Sequence, residues 1–184
     1  MVYMLLGEGF EEIEAIAPLD ILRRAGIDSA TVSLTSDLQV RGGHDIVIQA
    51  DTTLSQVDFE ALEMLVLPGG LGGVNSIEKT PAAMELISRT WEAKKMLAAI
   101  CAAPTLLAKL NILDGIRVVC YPSVSGDIET AGGKLQPELS VTRDENLITG
   151  KAAGASIDFG LELVAMMRGK EASEQIRRAV HAQK

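Results

Sequence analysis

Cysteine and histidine are nearly absent from this chain, with two of each among 184 residues. The thiols, Cys101 and Cys120, could form one disulfide, but nothing else suggests a stapled secreted scaffold, and a reduced compartment fits them better. His44 and His181 stand apart, and no Cys or His pair lies at ligand spacing, so no metal site is expected. Clusters of Lys and Arg are missing as well. With a net charge of −8, sequence-independent nucleic-acid binding is not expected, which leaves small molecules or proteins as partners. No long hydrophobic run is present. The longest, around residues 96–108, is interrupted by Pro104 and too short to span a bilayer, and no basic region precedes the N-terminal apolar residues. A cytoplasmic protein without a membrane partner is expected. Internal repeats and low-complexity linkers are also lacking. Hydrophobic residues at 47% can fill one sizeable core, so residues 1–184 read as a single domain.

What is present alternates between strands and helices. Residues 1–6 form an apolar run suited to a strand buried on both faces, ending at Gly7-Glu8-Gly9. A helix over residues 11–25 follows, with Gly26 as its stop. Its apolar face carries Asp20 and Arg24, spaced to pair one turn apart, which marks that face for a second surface. Pro18 cannot donate to the carbonyl of Glu14, so a kink or late start is expected there. Residues 29–34 read as a strand, and Val40 with residues 46–48 as a hairpin around Gly42-Gly43-His44. Residues 51–62 read as a connector, and residues 64–67 as a strand ending in the turn Pro68-Gly69-Gly70-Leu71-Gly72-Gly73. Thr80 and Pro81 mark a helix start. Residues 116–120 read as a strand, and residues 139–142 and 147–149 as a hairpin. Helices over residues 154–167 and 171–180 close the chain. This alternation implies an α/β fold, with a largely parallel sheet covered by helices on both faces.

Cys101 stands where the strand of residues 97–100 gives way to a helix containing Pro104 in its first turn. The helix N-terminus favours thiolate over thiol at such a position, although a free cysteine is also an ordinary core residue. Ligands of parallel sheets gather outside the carboxyl ends of the strands, so the turns at residues 7–9, 68–70 and 100–101 should converge. Gly69 and Gly70 either permit a tight turn or present amides to the thiol as an oxyanion site. The glycine spacing matches neither a P-loop nor a dinucleotide fingerprint.

Four stretches together carry a resemblance: residues 9–26 (Gly9-Phe-Glu-Glu-Ile-Glu14 through Pro18 to Gly26), Val66-Leu-Pro-Gly-Gly70, Ala98-Ala-Ile-Cys101-Ala-Ala-Pro104, and Gly154-Ala-Ser-Ile-Asp-Phe159. In this order and spacing they resemble the DJ-one/ThiJ branch of the ThiJ/PfpI superfamily, over nearly the whole chain. The resemblance implies a flavodoxin-like sandwich with a nucleophile-elbow cysteine, commonly a homodimer. It assigns Cys101 as nucleophile and Glu14 as the carboxyl group bonded to its sulfur, where a protonated Glu14 would favour thiolate. Gly69, Gly70 and Ala102 become backbone donors. Glu11 and Asp20 match a carboxyl pair spanning the dimer contact, and Arg24 and His44 match interface positions. Tyr121 stands where many relatives carry histidine, and Ala102 where the protease-like branch does, so a peptidase triad is not expected. Lys151 sits in a loop that is richer in arginine and glycine in relatives. Tyr121 and Lys151 are candidate site-lining residues.

Two functions follow from the resemblance. The first is a cofactor-free glyoxalase or deglycase acting on a small reactive carbonyl such as methylglyoxal or glyoxal, through thiol addition and release of a hydroxy acid. The second is an oxidative-stress sensor or chaperone-like protein in which Cys101 is oxidised to sulfinate. Cys120 reads as a core thiol.

Overall fold

The computed structural model describes residues 1–183. The first half of the chain runs β1 (Val2–Leu6), α1 (Glu12–Arg24), β2 (Ser29–Ser33), β3 (Gln39–Arg41), β4 (Val47–Gln49), β5 (Thr52–Thr53), β6 (Met64–Leu67), α2 (Leu71–Glu78) and α3 (Pro81–Glu92). The second half runs β7 (Met96–Ile100), α4 (Pro104–Lys109), β8 (Arg117–Val118), α5 (Ser125–Thr130), β9 (Lys134–Leu135), β10 (Val141–Asp144), β11 (Leu147–Gly150), α6 (Ser156–Arg168) and α7 (Lys170–Ala179).

Seven strands form one sheet in the order β10-β11-β7-β6-β1-β2-β5. All neighbours are parallel except β10 and β11, a hairpin at one edge. The mainly parallel α/β architecture expected from the alternating pattern is therefore present. The strands of the sheet centre are apolar on both faces because both faces are covered. Leu65, Leu67, Leu97 and Ala99 pack with side chains of α2, α3 and α4, while Met64, Val66, Ala98 and Ile100 pack with those of α1 and α6. The strand order reverses beside β1, whose neighbours are β2 and β6. The turns leaving β1 and β6 thus flank the crevice at which a doubly wound sheet binds its ligands.

Several local expectations give way to tertiary context. Pro18 lies inside α1, which runs from Glu12 to Arg24 without a break. Thr80 makes no side-chain cap; its hydroxyl donates to the Ser76 carbonyl at 2.9 Å. The glycine run after β6 opens α2 at Leu71, because Gly72 and Gly73 let that helix approach the backbone of residues 8–10. The connector after residue 50 contributes the short edge strand β5. The strand expected over residues 116–120 shrinks to β8, which pairs with β9 outside the main sheet. Val119 donates instead to the buried Thr149 hydroxyl at 2.9 Å.

Candidate active site

Cys101 occupies the elbow between β7 and α4 with φ of +65°, a left-handed conformation that costs an L side chain energy. The surrounding backbone holds it there. Its N–H donates to Gly150 O at 2.9 Å, and its carbonyl accepts from Tyr121 N–H at 2.8 Å. Such a turn lifts the side chain above the sheet edge, and the thiol is half-buried.

Glu14 approaches from the first turn of α1 and is 1% exposed. Oε2 accepts from Gly69 N–H at 2.9 Å. Oε1 is buried and has no hydrogen-bond partner among the described residues, and the carboxyl group stands close enough to the Cys101 thiol for each to shift the other's proton affinity. Gly69 is the hinge of this contact. A Cβ there would lie 2.4 Å from Glu14 Oε2 and 2.6 Å from Cys101 Cβ, so no larger residue fits. Its amide is directed at Glu14 and not at sulfur, which departs from the oxyanion role expected for it. The amides that lower the thiol pKa are those of Gly70 and Ala102. Gly70 has φ of +81°, and its Cα side meets Glu11 N and Gly9 O too closely for any side chain.

Burial pushes the Glu14 carboxyl up to about 7, with a further push from the Glu11 charge and opposing pulls from its bonds to Cys101 and Gly69. Burial also pushes the Cys101 thiol up to about 12, and the Glu14 charge and hydrogen bond add to that, against the amides of Gly70 and Ala102. The expectation of a thiolate favoured by the helix end is therefore reversed. Desolvation and a neighbouring carboxylate outweigh a helix of six residues. The site thus brings together a thiol and a carboxyl group whose proton affinities are both raised by burial.

The other expected residues are spread around this pair. Tyr121 contributes its backbone to the elbow while its ring is exposed. Lys151 donates from Nζ to Pro137 O at 2.7 Å and lines a cavity of about 200 Å³ with Val119, Cys120 and Pro122. Cys101 is not in that lining. Cys120 is buried, with its thiol pushed up to about 11 by burial and the Glu129 charge. Arg24 Nε donates to Asp20 Oδ2 at 2.6 Å on α1. Ile13 and Ile16 on the same helix are 55% and 39% exposed. His44 lies 3.6 Å from Glu11 and 2.9 Å from Glu12. These three groups are the one set among the described residues whose ligand atoms lie within 4.8 Å of one another. The imidazole lies against both carboxylates, and the Glu12 hydrogen bond with the charges of Glu11 and Glu12 pushes its pKa upward. Glu12 was not singled out from the sequence, where it reads as part of an exposed acidic helix start; its burial arises from the β3–β4 hairpin folding over it.

A mainly parallel α/β sheet with a strained cysteine at one strand end and a buried carboxyl group against its sulfur defines a protein of the cysteine-elbow class. Residues 1–166 match the model of the DJ-1/PfpI family, and the chain belongs to that family. It is 33% identical to protein dj-1beta of Drosophila melanogaster over 177 residues, covering 96% of this chain and 94% of that protein. It is 30% identical over 178 residues to the glutathione-independent glyoxalase DJ-1 of Schizosaccharomyces pombe, covering 92% of each. Among solved structures, Drosophila melanogaster DJ-1beta superposes with a TM-score of 0.94 at 32% identity, covering 100% of this chain and 98% of that one.

Proposed function

We propose that the protein is a cofactor-independent glyoxalase or deglycase-type enzyme whose nucleophile is Cys101 and whose general acid and base is Glu14. The observation that carries this reading is the contact between the thiol and a carboxyl group with a pKa raised to about 7, which is suited to moving protons at neutral pH. The name of the fission-yeast relative supports it at the level of the family.

In this reading the Glu14 carboxylate takes the thiol proton as sulfur attacks the aldehyde carbon of a 2-oxoaldehyde. The carbonyl electron pair moves to oxygen, which rests against the Gly70 and Ala102 amides and then takes a proton, giving a hemithioacetal. Glu14, having returned its proton to that oxygen, removes the proton from the carbon and passes it to the ketone oxygen, giving an enediol; transfer of the other hydroxyl proton to the former ketone carbon then leaves the thioester of a 2-hydroxy acid. Water cleaves the thioester, restores the thiol and releases the acid. Oxidation of one carbon balances reduction of its neighbour, so no external redox partner enters. Oxidation of Cys101 to sulfinate is the alternative; it draws on the same thiol and is compatible with turnover. A homodimer joined through α1 fits the exposed Ile13 and Ile16 beside the Asp20–Arg24 pair.

The test is lactate formation from methylglyoxal without glutathione. Wild type should form it and Cys101→Ala should not; equal rates from the two would refute the assignment.

A further inference from the structure

The first turn of α1, which carries Glu14, lacks two of the usual means of fixing itself. Glu11 provides no side-chain cap, and Pro18 has no N–H to give the Glu14 carbonyl. What holds this turn comes from outside the helix. On one side Glu11 N–H donates to Gly69 O at 3.0 Å. On the other side stands Glu12, 6% exposed. Its Oε1 accepts from His44 N–H at 2.8 Å and from Ile46 N–H at 3.4 Å, and its Oε2 meets His44 Nδ1 at 2.9 Å. The hairpin is shaped around this carboxylate, since a Cβ on Gly42 would lie 2.3 Å from Oε1. The hairpin is tied in turn to the loop preceding α1. Gly9 N–H donates to Arg41 O, and Gly43 N–H to Phe10 O, both at 2.8 Å. The bonds from the hairpin hold the Glu12 carboxyl below its ordinary range even against its burial, so it remains a charged acceptor for the turn.

We propose that Glu12 is a positioning residue for the Cys101–Glu14 pair. By pinning the β3–β4 hairpin to the start of α1, it fixes the rotation of the turn from which Glu14 reaches Gly69 and the thiol. It touches neither sulfur nor the site of a substrate. The inference rests on the reading of Cys101 and Glu14 as a coupled pair, but not on any turnover.

The test is the rate of Cys101 alkylation by iodoacetamide against pH, read by peptide mass so that Cys120 is counted separately. In wild type the pair shares one proton, so the rate should climb to about pH 7 and then level. Glu12→Ala should abolish the levelling, because a displaced Glu14 leaves the thiol to titrate alone and the rate climbs tenfold per pH unit toward alkaline pH. Glu12→Gln keeps an oxygen for the two backbone amides and should retain the wild-type profile. If Glu12→Ala does not fold, Glu12→Asp, whose shorter arm draws the carboxylate away from the hairpin, is read in its place with the same expectation. Levelling near pH 7 preserved in Glu12→Ala or Glu12→Asp overturns the proposal, even with a lowered melting temperature. Equal loss in Gln and Ala also overturns it, since the charge alone would then be responsible. A wild-type profile without levelling refutes the coupled pair itself.

Discussion

Replacing Glu14 with Gln should make the protein more stable at alkaline pH while removing its proposed acid–base group. The carboxyl has an ordinary value of 4.5 and is raised to about 7 in the fold, with burial as the largest cause. A group whose folded value lies above its unfolded value contributes its stability at pH below the unfolded value. That contribution is lost as pH rises through the folded value. For Glu14 the window runs from pH 4.5 to about 7. At about 1.4 kcal/mol for each tenfold change in proton affinity, the full loss is roughly 3 kcal/mol, a substantial share of the stability of a domain this size. Gln keeps an oxygen for the Gly69 amide and never ionises. Urea unfolding at pH 5 and pH 8 is the assay. Between these values wild type should lose about 2–3 kcal/mol more than Glu14→Gln, and groups common to both proteins cancel in the comparison. Parallel stability profiles would refute the claim that Glu14 is forced to ionise in a buried place.

Gly69→Ala would put a methyl group 2.4 Å from Glu14 Oε2 and 2.6 Å from Cys101 Cβ. It should lower stability by about 1–3 kcal/mol, the usual cost of overpacking, and abolish lactate formation; unchanged activity would show that the contact can open without consequence. Sedimentation should give twice the chain mass for wild type, and Ile13→Asp, at a position already 55% exposed in the single chain, should give a folded monomer. A wild-type monomer at micromolar concentration would refute the dimer.

The positions of β1, β6, β7, the β10–β11 hairpin and the long helices were legible because continuous apolar runs and glycine stops are local signals. The elbow at Cys101 was legible for the same reason, as a short apolar strand followed by a proline in a first helical turn. Residues 71–73 read as loop because glycine is a poor helix former, yet they open α2 where close backbone approach leaves no room for a side chain. Glu12 and Glu14 are both carboxylates on an acidic helix start, and spacing does not distinguish the one that meets sulfur from the one that meets a hairpin.

The sequence by itself determined the alternation of elements, and through it a mainly parallel sheet with the three decisive turns at its carboxyl edge. It also determined which residue types were on hand, a single elbow thiol without a neighbouring imidazole. Only the tertiary structure decided their chemistry. The folding of α1 and the turn after β6 over Cys101 bury its thiol beside Glu14, and burial pushes the proton affinity of both groups up. Burial and through-space charge fix proton affinities, and neither is a property of neighbouring positions in the chain.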